Sequence, residues 1–383
     1  MTLRPVQHDN VREHNRLAVL RALRASRSAT RAELARNTGL SVPTVTTIIA
    51  ELSALGVVAD GDPVPSAGGR PARQHHLVQS AHNVLALDLS GERLRAGRVD
   101  LMGELREVGE DAADAHDLMP QLGSGAEQRL ISWTLEQIER QNAAGFQVSA
   151  LAVAVPGVVD EATGHVRLAP ALGWSDEPVG QTLSRATGLP VLLENDVNAV
   201  ALAELLHGAA VGKRNVLYVS IGSGIGAALA IDGSLYRGSN AAAGEIGYSL
   251  LPGWEEQGLD LGASGPFERR LLGIADAFVD DGKVNLNTPE RSMAFESLSE
   301  KLRLALHNLA CVLDPELIVV AWSADPEGLL ANAVAQRWVS PLPARIVAGS
   351  LGRRAALRGV SHLALQRLTA GICGLELGEW SKP

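Results

Sequence analysis

Carboxylate and amide side chains that can bind hydroxyl groups occur in two segments near the middle of the chain. Asn195 and Asp196 are adjacent, and Glu245 follows later in a glycine-containing segment. Such groups donate to or accept from vicinal hydroxyls, so they suit a sugar-derived ligand held in a pocket. The structural alternative is that Asp196 and Glu245 cap helices or pair with arginines. Either role requires elements that hold the two segments in fixed positions.

Apolar runs predict the strands that position these side chains. A buried strand is expected over Val84–Leu89, its hairpin partner over Leu94–Val99, and another strand over Val216–Ile221. The third strand leads into the glycine-rich run Gly222–Gly226. Such a run lets backbone amides approach phosphate, but it equally suits a tight turn in a packed α/β lobe. Both interpretations remain open from the sequence.

Composition indicates a globular chain of two or three domains. It has 383 residues, of which 46% are hydrophobic and 20% charged. Apolar runs of about 18 residues, which could span a membrane, are missing from the sequence. Met1–Asn10 is polar and lacks the apolar segment of a secretion signal. Two cysteines exclude a disulfide framework and a cysteine-rich zinc site. We expect a cytoplasmic protein.

Charge is distributed unevenly along the chain. Residues 1–80 carry a net charge of +4, and the remainder carries −13. A basic head on an acidic body is typical of a DNA-binding domain joined to a ligand-binding domain. The net positive charge of the head is modest and does not by itself establish DNA binding. The pattern of residues in the head must decide whether it binds DNA.

The head has the pattern of a helix-turn-helix. Thr30 and Glu33 have the spacing of a capping box that starts a second helix, which should stop at Gly39. Ser41 can cap a third helix, with Pro43 in its first turn. We expect the buried stripe of that helix to comprise Val45, Ile48, Ile49, Leu52 and Leu55. Its first turns carry the residues expected to contact DNA bases and phosphates: Ser41, Val42, Thr44, Thr46 and Thr47.

Two short strands and a loop should complete a winged helix. Strands are expected over Val57–Ala59 and Gln74–Val78, with Asp62–Pro71 as the loop between them. An extended arm can place Arg70 in the minor groove, where the negative potential is greatest. The alternative is a flexible linker with a solvated arginine.

These motifs, in this order, resemble those of the ROK family (repressors, open reading frames and kinases). The carrying segments are Gly68–Pro71 in the wing, Glu194–Ala199, Ile221–Gly226 and Ala242–Tyr248, and the resemblance extends from about Asn15 to Gly374. It implies an α/β fold in which a winged helix (residues 1–80) precedes a two-lobed body like that of actin and hexokinase. The lobes would comprise residues 82–195 with 363–383, and residues 196–362. The C-terminal helix, Leu363–Glu376, would pack onto the first lobe.

The resemblance also implies roles for particular residues. In ROK kinases the aspartate at the position of Asp196 is the general base, and its neighbouring asparagine binds the sugar. By the same correspondence Glu245, Tyr248 and Glu268 would face the ligand. Two motifs in family order favour a sugar-derived pocket over purely structural roles.

Departures from the family pattern argue against nucleotide binding. In the first phosphate loop a glycine is replaced by Ser90 and a threonine by Glu92, whose carboxylate would repel phosphate. At the adenosine site the glycines are replaced by Ala321 and Trp322, and the indole is expected to fill or distort that space. Asp196 would then mark a base position without kinase activity, and no cofactor is expected.

The sugar and metal positions are altered too. Tyr248 replaces the motif histidine, and Ala171 replaces a sugar-contacting asparagine. The three thiolates of the family's zinc site are replaced by Leu259, Leu261 and Pro266, so no metal is expected. Each lost polar partner costs about 1–3 kcal/mol, which implies an altered sugar or none.

Together the residues and the resemblance predict a transcription regulator, and a repressor in particular. It would bind double-stranded DNA at an inverted-repeat operator as a homodimer or homotetramer, because one winged helix buries too little surface for high specificity. A sugar effector in the cleft would control it, without kinase activity. The alternatives are an ATP-dependent sugar kinase with a regulatory head, and a regulator with a vestigial pocket.

Overall fold

The computed structural model describes residues 8–64, 72–90, 93–114, 126–251, 264–339, 343–375 and 380. The chain folds into a small N-terminal head and two α/β lobes. The mixed α/β class and the helix-turn-helix head predicted from the sequence are both confirmed.

The head is a winged helix whose caps follow the sequence signals. Its elements are α1 (His8–Ser26), β1 (Ser28–Thr30), α2 (Arg31–Thr38), α3 (Val42–Ala54), β2 (Val58–Val64) and β3 (Ala72–Leu77). Thr30 and Glu33 form the predicted capping box, and Gly39 ends α2 in the left-handed region at φ 71°. The three strands pair in the order β1-β3-β2. The strand β1 was not predicted, because three residues are too few to show an alternating pattern.

The first lobe is a five-stranded sheet with a smaller sheet beside it. Its elements are β4 (Asn83–Asp88), β5 (Arg93–Val99), β6 (Leu105–Asp114), α4 (Ala126–Ala143), β7 (Val148–Val155), β8 (Val158–Asp160), β9 (His165–Ala169), β10 (Trp174–Glu177), α5 (Val179–Thr187) and β11 (Val191–Asn195). The strand order is β11-β7-β4-β5-β6, with β4, β7 and β11 parallel. All six residues of β4 are buried, as expected for a strand covered on both faces.

The second lobe repeats this plan. Its elements are α6 (Asp196–His207), β12 (Val216–Ile221), β13 (Ile225–Ile231), β14 (Ser234–Tyr236), α7 (Pro266–Ala275), β15 (Val279–Asp280), β16 (Lys283–Val284), α8 (Pro289–Leu313), β17 (Leu317–Trp322), α9 (Leu329–Gln336) and β18 (Arg345–Ala348). The C-terminal helix α10 (Ala355–Ile372) follows β18 and lies in the core of the first lobe. The order β14-β13-β12-β17-β18 again joins an antiparallel meander to parallel strands. The strand predicted over Val216–Ile221 is β12.

The C-terminal helix α10 packs against β4, β7 and α6. It begins at Ala355, eight residues before the predicted start at Leu363, because Leu357 and Val360 are fully buried in the same core. At Gly359 a Cβ would lie 1.7 Å from the carbonyl oxygen of Ala199 in α6. Glycine therefore allows the two helix backbones to touch.

Helix α1 of the head shares one hydrophobic core with the first lobe. Leu17 and Leu20 lie in the same cluster as Val84 of β4 and Leu365 of α10. Polar contacts reinforce the join, since Arg24 Nε donates to the carbonyl oxygen of Leu101 at 2.6 Å. The head is thus packed onto the body.

Candidate functional site

Helix α3 presents a polar face at its N-terminal end. Ser41 caps the helix, and its Oγ accepts from the backbone N–H of Thr44 at 3.2 Å. Thr46 and Thr47 donate their hydroxyls to the carbonyl oxygens of Val42 and Pro43. Each threonine is thereby held in one rotamer, with oxygen lone pairs and methyl groups available to a ligand.

The opposite face of α3 is fixed in the core of the head. Val45 and Leu52 are fully buried, whereas Val42 is 47% exposed. Leu55, expected in the buried stripe, is 55% exposed, because α3 ends at Ala54. This division places the five residues predicted to contact DNA at the free end of the helix. Arg70 lies outside the described residues. The strands that lead to it, β2 and β3, are joined by an ion pair between Arg73 and Asp60 at 3.0 Å.

In the body, a cleft site forms where parallel strands of the first lobe end. Asp88 ends β4 and Asn195 ends β11, and both strands pair with β7, which lies between them. Asp196 then begins α6. Because the carboxyl ends of parallel strands meet at one edge of a sheet, these side chains gather there.

Asn195 combines a structural role with spare hydrogen-bonding capacity. It is the N-cap of α6, where its Oδ1 accepts from the backbone N–H of Asn198 at 2.9 Å. Its Nδ2 donates to the carbonyl oxygen of Gly157 at 2.8 Å. A primary amide has two donors and two lone pairs, so one of each remains for a ligand. The sequence left open the alternative that Asp196 caps a helix. In the structure its neighbour Asn195 caps α6.

Acidic groups surround Asp196 and perturb its titration. Burial raises the pKa of Asp196 to about 7, with further contributions from the charges of Asp88 and Glu245. Burial, and then the charge of Glu268, also raises the pKa of Glu245. Four carboxyl groups from both lobes therefore lie near one another. Such a site can accept hydrogen bonds from several hydroxyls of one ligand.

Glycine positions Glu245 by allowing a close backbone approach. Gly244 has φ 98°, and a Cβ there would lie 2.0 Å from the carbonyl oxygen of Ala227 in β13. The carbonyl oxygen of Gly244 accepts from the N–H of Ala227 at 2.8 Å. Tyr248 ends the short 3-10 turn Ile246–Tyr248 that follows and is partly buried. These two residues are thus held against the sheet of the second lobe.

Glu268 lies over the glycine-rich run that follows β12. Its Oε2 accepts from the N–H of Ile225 at 2.8 Å, and a Cβ on Gly224 would lie 3.0 Å from the same oxygen. The predicted ligand-facing residue therefore already binds one amide of this loop. A phosphate that bound to the N–H of Ile225 would have to displace the carboxylate of Glu268.

Two further internal carboxylates occupy backbone amides of the second lobe. Asp325 accepts from the N–H groups of Leu329 and Leu330 at the start of α9. Glu204 accepts from the N–H groups of Ser350 and Leu351. Both carboxylates thus satisfy backbone N–H groups of the kind that can bind anions at helix N-termini and in loops.

The structure places Trp322 in the core of the second lobe. The indole is 8% exposed and packs edge-on against Phe278, with ring centroids 5.9 Å apart. Side chains alternate along β17, so Trp322 points with Ile318 and Val320 into the core beneath α8. The expectation that it fills or distorts the adenosine space stays a prediction. Ser90 is turned inward, donating both its N–H and its hydroxyl to Asp88, whereas Glu92, Leu259 and Leu261 lie outside the described residues.

Sequence reasoning missed Glu194. Its side chain is 2% exposed, and its Oε1 accepts from the N–H of Asn195 at 3.0 Å and from Asn198 Nδ2 at 3.1 Å. Its Oε2 accepts from Arg237, with Nε at 3.0 Å. The available signal was its place beside Asn195 in the Glu-Asn-Asp motif.

Among the described residues, none of the helices is long and apolar enough to cross a membrane.

Comparison with known proteins identifies the family of the body and the class of the head. The profile of the ROK family matches residues 123–367, and that of the winged helix-turn-helix DNA-binding domain matches residues 12–59. A xylose repressor of Caldicellulosiruptor bescii is 25% identical over 343 residues, 82% of this chain and 84% of the repressor. A glucokinase of Streptomyces coelicolor is 30% identical over 259 residues, 57% of this chain and 81% of the kinase.

A solved structure extends the likeness of fold to the whole chain. The crystal structure of a ROK family transcriptional regulator, a homologue of the Escherichia coli Mlc protein, superposes with a TM-score of 0.72 at 21% identity. The match covers 95% of this chain and 98% of that one. At 21% identity the superposition shows only the fold. The match of the ROK family profile to residues 123–367 shows the family. The chain belongs to the ROK family, with an N-terminal winged helix-turn-helix.

Proposed function

We propose that this protein is a transcriptional repressor that binds an inverted-repeat operator in the cytoplasm and responds to a sugar in the cleft. The observation that carries the proposal is the shared core between the winged-helix head and the first lobe, whose strand ends form the cleft. A ligand that changes the lobes can then change the position of the head. The xylose repressor relative, matched over 82% of this chain, supports the same role.

A homodimer or homotetramer follows from the proposed target. A single winged helix buries too little surface for high specificity, and an inverted repeat mirrors a two-fold axis of the protein. A sugar can only release such an assembly from DNA if it binds one arrangement of the lobes more tightly than the other.

The cleft is better suited to a polyol than to a nucleotide. Asn195 keeps a free donor and acceptor, and Asp196 and Glu245 supply carboxyl groups. Glu268, Asp325 and Glu204 already hold backbone amides that could otherwise bind phosphate. We infer that the protein lacks kinase activity.

A sugar kinase with a regulatory head is the second candidate. It is favoured by Asp196, whose pKa of about 7 is near the optimum for a general base at neutral pH. The glucokinase relative, at 30% identity, favours it as well.

Thermal melting against sugars and sugar phosphates, with and without Mg-ATP, tests the proposal. A ligand at about 100 times its Kd adds roughly 2.7 kcal/mol to the stability of the folded state. We expect a rise in Tm with one sugar and none with Mg-ATP. A clear shift with Mg-ATP, together with turnover that Asp196→Asn abolishes, would establish the kinase instead. A Tm that no sugar of the panel raises would contradict the sugar response.

Replacing Arg70 by alanine is expected to weaken operator binding about tenfold, because an arginine in the minor groove contributes roughly 1–3 kcal/mol. The measurement is a titration of operator DNA at matched salt, since phosphate contacts make affinity salt-dependent. Arg73→Ala is the matched control. It removes the same charge from the wing at a residue already paired with Asp60. Equal affinities of the Arg70→Ala protein and the wild type would remove the wing from the interface.

A further inference from the structure

A line of ion pairs crosses between the lobes beside the cleft. Arg237, which follows β14 of the second lobe, contacts Glu194 at the end of β11 with its Nε 3.0 Å from Oε2. The same guanidinium lies 3.4 Å from Glu161, which follows β8 of the first lobe. Glu161 also pairs with Arg367 of α10. We call these four residues, Glu194, Arg237, Glu161 and Arg367, the inter-lobe relay.

One end of the relay holds the start of α6, where the ligand-facing groups lie. Glu194 is 2% exposed, and its other oxygen accepts from the N–H of Asn195 and the side-chain amide of Asn198. The orientation of Asn195 and the first turn of α6 therefore depends on the position of Glu194. A displacement of Arg237 with the second lobe would therefore shift Glu194 and the first turn of α6.

The other end of the relay reaches the head through α10. The fully buried Cys373, just beyond α10, lies in the core that contains Leu17 and Leu20 of α1. Its carbonyl oxygen accepts from Arg16 Nη1 at 3.5 Å, and Arg16 Nε pairs with Glu51 of α3 at 2.7 Å. Arg12 of α1 pairs with Glu51 as well. Helix α10 thus contacts α1, which is tied to the helix predicted to enter the major groove.

Electrostatics makes this connection suited to a two-state response. Arg237 belongs to one lobe and both of its carboxylate partners belong to the other. Movement of the lobes must either carry these partners along or leave a buried carboxylate without its counter-charge, which is strongly unfavourable. Packed contacts of this kind exchange between discrete arrangements rather than deforming gradually.

We propose that the inter-lobe relay transmits occupancy of the cleft through α10 to the DNA-binding head, with Arg237 and Glu161 as positioning residues. The proposal rests on the proposed function, a sugar-responsive repressor. It assigns the regulation of that site to residues that contact neither sugar nor DNA. Coupling of this type changes the affinity at a distant site by about 5–150-fold.

The test measures operator affinity of the full chain with and without saturating D-xylose, and in parallel with D-glucose. The operator is the sequence that the wild-type protein selects from random DNA. In the variant Glu161→Gln, which keeps the shape of the side chain and removes its charge, we expect the sugar-induced change in operator Kd to fall at least about fivefold. Binding of the sugar itself, measured by calorimetry, should change less than about threefold, because its contacting groups are retained. Asp280→Asn, which removes the exposed partner of Arg291, is the matched control and should respond like the wild type.

The outcomes separate the relay from the proposed function. A full sugar response in Glu161→Gln, or an equal loss in Asp280→Asn, would overturn the relay while leaving the repressor intact. A wild-type protein that selects DNA but responds to no sugar of the melting panel would contradict the sugar response and the relay with it. If Glu161→Gln fails to fold, Arg237→Lys replaces it. A single ammonium cannot reproduce both guanidinium contacts, so the same loss of response is expected, and a full response would again overturn the relay.

Discussion

Arg237→Met is expected to lower the free energy of unfolding by about 2–4 kcal/mol, because it leaves the buried Glu194 carboxylate without a counter-charge. Losing one partner of a fully buried pair costs about 3–5 kcal/mol, and the 27% exposure of the Arg237 side chain reduces that figure. Denaturant unfolding measured near neutral pH checks the value.

A surface ion pair provides the comparison for this variant. Arg291 pairs with Asp280, whose side chain is 48% exposed. Arg291→Met removes the same side chain from a solvated pair, and such pairs contribute about 0–1 kcal/mol. Adding Glu194→Gln to Arg237→Met should recover part of the loss, because the uncompensated charge is removed. Equal losses for the two single variants would mean that Glu194 is solvated when Arg237 is absent.

Asp196→Asn is expected to stabilise the protein above neutral pH by about 2–4 kcal/mol. The pKa of Asp196 is about 7 in the folded protein, whereas an unfolded aspartate titrates near 3.8. Between those values the folded state binds more protons, so the contribution to stability is full below about pH 4 and is lost as the pH rises through 7. The difference between these two pKa values corresponds to roughly 4 kcal/mol, the upper limit of the effect.

Unfolding free energies measured from pH 4 to pH 8 check this prediction. The difference between Asp196→Asn and the wild type should grow with pH and level off above pH 7. Asp280→Asn should instead be slightly less stable than the wild type by an amount that stays nearly constant over this range. Arg291 lowers the pKa of Asp280, so that stabilisation is lost only below about pH 4. A pH-independent difference at Asp196 would mean that its carboxyl group is not destabilised by its surroundings.

Local signals predicted the head well. The caps at Thr30 and Ser41 and the left-handed turn at Gly39 are each set by residues within a few positions of one another. Apolar runs likewise located β4 and β12, since burial on both faces leaves a continuous run in the sequence. Asn195 and Asp196 were placed at the cleft by a motif.

Long-range contacts could not be predicted from the same signals. Arg237 meets Glu194 across 43 positions, and Glu268 binds the N–H of Ile225 across another 43. Nothing in the local pattern of either segment specifies the partner, because the fold alone brings them together. The core contacts of Trp322 were missed for a related reason, since the direction of a side chain depends on the register of β17 against β12.

The most direct test of a sugar-responsive repressor is selection of DNA from a random pool by the purified full chain, followed by titration of the selected DNA with sugars. We expect an inverted repeat to be enriched, and an unphosphorylated sugar such as D-xylose to weaken its binding in the absence of ATP. Enrichment of no sequence, or ATP-dependent phosphorylation of the sugar by the same preparation, would contradict the proposed function.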